Sequence, residues 1–175
     1  DPFYHDFLQG VQQGISRENL LLFVCDAHEN PEEMIRDFNQ LAARNVDGII
    51  VASYDIHPLL GTMQSKAVPF VTVDSPGCVG PVVNFDLEEA AWQAVHHLLQ
   101  HGYRKIGLVT FSEEVANVNQ MKAGYIRALH ESGISVNEEL IARVPGFDID
   151  NGERGAHALL SLGHPPEAIF TIADT

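Results

Sequence analysis

Basic residues are scarce in this chain: ten lysines and arginines face 24 aspartates and glutamates, giving a formal net charge of −14 over 175 residues. A surface field of that sign repels a phosphate backbone, which argues against direct nucleic-acid binding by this segment. Cysteine is nearly absent. Cys25 and Cys78, the two present, have neither CxxC nor Cys/His ligand spacing, so no disulfide framework and no thiolate zinc site is indicated, and a reducing cytoplasm fits. No apolar run approaches the roughly 18 residues of a membrane span, and the opening Asp1-Pro2-Phe3-Tyr4-His5-Asp6 lacks the basic start and apolar stretch of a secretion signal. Reactive constellations are missing too. There is no Gly-rich phosphate loop, no nucleophile elbow, no Ser/His/Asp order and no glycosidase-like carboxylate pair, so the reading is not an enzyme and has no cofactor. His96-His97 and His101 lack the carboxylate of a zincin helix, so no metal is expected.

What is there is a chain with 45% hydrophobic residues, enough to bury a core, in a strongly periodic pattern. Phe3, Phe7, Leu8, Val11 and Ile15 recur at helical spacing. Leu20 to Cys25 reads as a buried strand. Asn30-Pro31-Glu32-Glu33 combines an N-cap, a first-turn proline and a capping-box glutamate ahead of a second helix through Met34, Ile35, Phe38, Leu41 and Ala42. Gly48 to Ala52 is a short, uniformly apolar run, as expected of a parallel strand covered on both faces. The alternation continues with a helix at 58–65, a strand at 69–73 and a break at Asp74-Ser75-Pro76-Gly77 and Gly80-Pro81. Next comes a helix started by Asp86 and Glu89 that buries Ala91, Ala94, Val95, Leu98 and Leu99. A second series follows: a strand at 105–110, a helix carrying Tyr125, Ala128 and Leu129, a strand at 140–144, a helix capped by Asp150 and Glu153, and a strand at 168–173. Strand–helix alternation of this kind predicts doubly wound α/β architecture with parallel sheets. The first helix has no strand before it and the last strand no helix after it, so both ends read as cut.

Several segments in order resemble the lactose-repressor/galactose-repressor (LacI/GalR) family. Asp1-Pro2-Phe3-Tyr4 is similar to the family's entrance to its first helix, Val46-Asp47-Gly48-Ile49-Ile50 to its next strand, and Asp86 to the aspartate of its "VDN" motif. His101-Gly102-Tyr103-Arg104-Lys105-Ile106-Gly107 is close to its "RGHRKIG" segment. Ala123-Gly124-Tyr125 and Pro166-Glu167-Ala168-Ile169-Phe170 continue the likeness. The resemblance implies two Rossmann-like lobes of the type I periplasmic-binding-protein kind, divided here as residues 1–101 and an incomplete 102–175. It implies a small effector in the cleft, most simply a sugar or sugar derivative, a homodimer, and DNA contact only through a helix-turn-helix absent from this sequence. A periplasmic sugar-binding protein of a transport system is the alternative, which a helix-turn-helix directly upstream would decide against.

Ligands of open α/β sheets lie outside the carboxyl ends of the strands. By the resemblance, Phe3 and Tyr4 supply aromatic contacts to the effector, although Phe3 is equally suited to staple its own helix. Asn117 and Asn119 supply polar contacts, with solvated loop amides as the plain alternative. Met121 stands where the family usually has an arginine, so a soft thioether replaces a planar cationic fork. Phe170 either packs against the ligand or fills the core, and Asp174 either bonds the ligand or caps a helix. Asp55 and Asp74 lie just past strand ends, within reach of the cleft.

Overall fold

The computed structural model describes residues 2–28, 30–53, 55–75, 80–111, 115–146 and 148–173, with residues 2 and 3 described by backbone alone. Asp1, Cys78, the break at Pro76-Gly77, the Glu113-Glu114 pair and Asp174 lie outside the described residues.

Each half of the chain builds a parallel sheet from helical crossovers. The first half runs α1 (Pro2–Ile15), α2 (Pro31–Ala43), β1 (Ile49–Ala52), a 3-10 turn at His57–Leu59 leading into α3 (Leu60–Ser65), β2 (Phe70–Val73) and β3 (Val82–Val83). The second runs α4 (Leu87–Gln100), β4 (Ile106–Thr110), α5 (Ala116–Glu131), a 3-10 turn at Glu138–Leu140, β5 (Ile141–Arg143), α6 (Ile149–Leu160) and β6 (Ala168–Thr171). Strand order is β1-β2-β3 in one sheet and β5-β4-β6 in the other, every pairing parallel. The expected doubly wound parallel architecture is present, and the second sheet stands at three strands.

Caps decide where the helices begin. The Asn30 side chain accepts from the N–H groups of Glu32 and Glu33, and that of Asp86 from Glu89, so both expected starts are found. Helix α6 starts two residues earlier than expected: Asp148, not Asp150, is the N-cap, accepting from the Asn151 N–H. Asp150 sits in the first turn, where its charge still favours the helix dipole.

The two sheets have separate cores. Phe38, Ile49, Val51, Ile56, Leu59 and Met63 form one, where α2 and α3 cover β1. Val95, Leu99, Ile106, Leu108, Tyr125, Ala128, Leu129 and Ile141 form the other. Val95 and Leu99 belong to α4, so the polypeptide crosses from the first sheet to the second between β3 and α4. The Tyr125 hydroxyl, deep in this core, donates to the Ile106 carbonyl at 2.9 Å, and burial pushes its pKa up to about 12.

Two expectations need correction, and one element was not foreseen. Leu20–Cys25 forms no strand: it pairs with no other strand among the described residues, and Leu21, Phe23 and Val24 are exposed. Apolar β-propensity alone does not make a strand, because the backbone groups need a neighbour to bond. Ala94 faces solvent, since α4 buries the narrower Ala91-Val95-Leu99 row. Val82-Val83, just after the Gly80-Pro81 break and given no element in the sequence reading, pairs with Thr72-Val73 as a short edge strand.

Close approaches set the second half. A Cβ on Gly124 of α5 would overlap the Glu88 carbonyl and lie 2.8 Å from the Trp92 nitrogen of α4, and one on Gly155 of α6 would lie 2.5 Å from the Val109 side chain. We predict that Gly124→Ala lowers stability by about 2–3 kcal/mol by forcing α4 and α5 apart. Gly10→Ala, where nothing lies within 4 Å in mid-helix, should raise it by about 0.5–1 kcal/mol. Urea unfolding followed by circular dichroism distinguishes these opposite signs.

Candidate functional site

In a parallel sheet all strands point one way, so the loops after their carboxyl ends gather at one edge. After β2, Asp74 takes a left-handed backbone (φ 55°), a conformation that aspartate tolerates better than most residues. Its N–H donates to the Val83 carbonyl at 2.9 Å. The neighbouring Ser75 hydroxyl, buried, lies 3.0 Å from the Ser53 carbonyl and 3.2 Å from that of Val73, which ties the loop after β2 to the loop after β1.

After β4, the chain enters α5, whose first turn carries Asn117. Its Nδ2 donates to the Asp74 carboxylate at 2.6 Å and to the Asp74 carbonyl at 3.2 Å. This pair joins the carboxyl ends of the two sheets. Asn117 is only 9% exposed, and its Oδ1 is buried without a partner among the described residues. Burial raises the Asp74 carboxyl pKa above its ordinary value.

A cavity of about 270 Å³ opens at the ends of β4, β5 and β6. Thr110, Phe111, Val144, Gly146, Asp148, Gly152 and Thr171 to Ala173 line it. Asp148 accepts from the Asn151 N–H at 2.8 Å and from Asn151 Nδ2 at 2.6 Å, and these bonds hold its carboxyl pKa below the ordinary value. Arg154 in turn donates to Asn151 Oδ1 at 2.7 Å. Among the described residues, such a site offers hydrogen-bond acceptors and apolar surface.

The other candidates are scattered. Asp55 turns back on His57, accepting from its N–H at 3.0 Å and lying 2.9 Å from its Nδ1; the bond from the His57 side chain is the main reason its carboxyl pKa is lowered. Tyr4 is exposed on α1, Asn119 is exposed on α5, and Met121 is half-buried on the same helix. Phe170 packs against the second core. The side chain of Phe3 and all of Asp174 lie outside the described residues. The structure therefore brings Asp74 and Asn117 together, and adds Thr110, Phe111 and Asp148, which the sequence reading missed. A strand-end threonine followed by an aromatic was a weak signal, and Asp148 was readable only as a capping residue.

Because the Asp74 carboxyl pKa is raised in the fold, the native state holds this proton more tightly than the unfolded chain does. Ionisation therefore costs stability as pH rises above about 3.9, the ordinary aspartate value, through the folded one. Asp74→Asn keeps an acceptor for Asn117 and removes the titration. The melting temperature of the variant relative to the native chain should rise between pH 4 and pH 7; a difference independent of pH would contradict this.

The family model described as periplasmic binding proteins and the sugar-binding domain of the LacI family matches residues 1–175. Among curated proteins, the chain is 28% identical over 179 residues to the HTH-type transcriptional repressor CytR of Escherichia coli (strain K12), covering 99% of this chain and 52% of that protein. The chain thus spans about half the length of this relative. Among solved structures it resembles the transcription regulator CcpA of Lactococcus lactis, with TM-score 0.88 and 22% identity over 100% of this chain and 65% of that one. It also resembles a transcriptional regulator CelR–cellobiose complex, with TM-score 0.85 and 24% identity over 98% of this chain and 53% of that one. With the model matching end to end and the parallel sheets in place, the chain belongs to the family of periplasmic binding proteins and LacI-type sugar-binding domains.

Proposed function

We propose that this chain is the effector-sensing part of a bacterial transcription regulator that closes its two lobes over a small molecule. The observation that carries the reading is the Asp74–Asn117 bond, which links the loops at the carboxyl ends of the two sheets. Ligand binding that favours one lobe arrangement shifts the population toward it, and the shift passes through a homodimer to a DNA-binding headpiece outside this sequence. Only a ligand with different affinities for the two arrangements has this effect. The −14 charge supports leaving DNA contact to that separate headpiece. A regulator of this kind is non-enzymatic and cytoplasmic; no described helix is long and apolar enough to cross a membrane.

The effector is a sugar or sugar derivative, a reading supported by the cellobiose complex of a fold neighbour. Its contacts are drawn from Asp74, Asn117, Asn119, Met121 and the first turn of α1 at Phe3 and Tyr4. Asp55, Phe170 and Asp174 complete the candidate set; Asp55 and Phe170 are the weaker members, since one is bonded to His57 and the other is packed in the core. We divide the lobes at the crossing between β3 and α4 in preference to residues 101 and 102, because α4 shares its core with β4. The transport-protein alternative has no specific observation in its favour.

A thermal-shift screen of the full-length protein against sugars, sugar phosphates, nucleosides and purines tests the reading, because a ligand that binds only the native state raises its melting temperature. One chemical class should raise it selectively. Asn117→Ala should then weaken that ligand about ten-fold, the cost of roughly one polar contact, while leaving the circular-dichroism spectrum unchanged. Unaltered affinity would remove Asn117 from the site.

A further inference from the structure

We infer that His97 and His101, one helical turn apart at the end of α4, form a two-imidazole binding site for a divalent transition-metal ion such as Zn2+ or Cu2+, separate from the effector site.

Spacing is the first observation. Side chains four residues apart on a helix lie on one face, one above the other, and His97 and His101 are both exposed. Their ring centroids are 4.3 Å apart, with the planes at 47°. Two imidazoles bound to one ion through metal–nitrogen bonds of about 2.1 Å at roughly a right angle have centroids about 4.6 Å apart. A small side-chain adjustment therefore brings the pair to a chelating separation.

The second observation is the hydrogen bond behind the pair. His101 Nδ1 lies 2.9 Å from the His97 carbonyl oxygen. A carbonyl only accepts, so the proton sits on Nδ1 and the Nε2 lone pair is left for a ligand. Metal-binding histidines are held in this way, the second nitrogen donating to a carbonyl or carboxylate that fixes the tautomer and the ring. His96 provides the contrast. Its Nε2 lies 3.0 Å from Gln100 Nε2, its ring stacks on Trp92 with centroids 4.7 Å apart, and its Nδ1 is buried, so it belongs to the packed side of the helix.

Electrostatics favour a cation at this place. His101 is the C-cap of α4, which puts the pair at the negative end of the helix dipole, in a chain of net charge −14. Imidazole nitrogen suits zinc, copper and nickel, with Cu2+ held most tightly, whereas Mg2+ and Ca2+ prefer oxygen. Among the described residues no cluster of three histidine, cysteine or carboxylate donors is formed, so water completes the coordination. The sequence-based expectation of no metal rested on the missing zincin glutamate. That residue is a general base and not a ligand, so its absence removes hydrolytic chemistry and leaves binding.

The consequence is local. Gly102 follows the pair in a left-handed conformation (φ 93°), and the chain then enters β4, where Glu167 accepts from the N–H groups of Arg104 and Lys105. An ion bridging His97 and His101 ties the last turn of α4 to this junction and stabilises the folded chain that forms it.

The test uses the full-length protein, without an affinity tag and stripped of metal. One equivalent of Cu2+ should give an electron paramagnetic resonance spectrum with two coordinated nitrogens, and Zn2+ should raise the melting temperature where equal Mg2+ does not. His97→Ala and His101→Ala should each weaken Cu2+ binding about a hundred-fold, because a chelate becomes a single imidazole, with the circular-dichroism spectrum unchanged. His96→Ala should leave Cu2+ affinity intact. A spectrum with one coordinated nitrogen, or Cu2+ affinity unaltered in both variants, overturns the inference; the first outcome is read on the native protein and needs no variant to fold.

Discussion

The bond between Asn117 and Asp74 joins two halves that otherwise have separate sheets and separate hydrophobic cores. Its geometry depends on both sides being held. On one side, Asp74 is fixed in a left-handed conformation by its bond to Val83, with Ser75 pinning the loop to Ser53. On the other, Asn117 is carried by the first turn of α5, whose body is locked against α4 at Gly124. A hydrogen bond to a carboxylate contributes about 1.5–3 kcal/mol net, small enough to suit the proposed making and breaking of this contact as lobes close. The close-packed cores on either side supply the rigidity that the proposed lobe closure requires.

The same arrangement explains the chemistry on offer. Parallel strands deliver acceptors and apolar side chains to one edge, while several charged groups of the second half are engaged elsewhere. Arg127 lies over the Trp92 ring, 5.0 Å from its centroid, and pairs with carboxylates of α4 and α5. Glu167 accepts from the N–H groups of Arg104 and Lys105, fixing the entrance to β4. Charge here serves to clamp the scaffold.

Most of the architecture was legible in the sequence because it is written in short-range signals. Asn30, Asp86 and the apolar runs at β1, β2 and β4 report caps and buried strands through local chemistry alone. The failures were of a different kind. Leu20–Cys25 has strand composition, but pairing is a property of neighbours, and β1 pairs only with β2 among the described strands. The α6 cap was misplaced by two residues because Asp148 and Asp150 are both competent caps and only backbone geometry separates them. The site was half legible: Asp74 and Asn117 lie where strand ends and the family resemblance point, but their contact spans 43 residues of sequence, which no local pattern encodes. Thr110 and Asp148 were hidden behind ordinary strand and capping roles.

The central claim, that the two lobes are coupled through this contact and close on a ligand, is tested most directly by the distance between spin labels placed on α3 and α6 of the full-length protein. The account predicts a narrower, shorter distribution when the effector is bound and a broader one in Asn117→Ala without it. Identical distributions in all three states, with an effector that still alters DNA affinity, would contradict it.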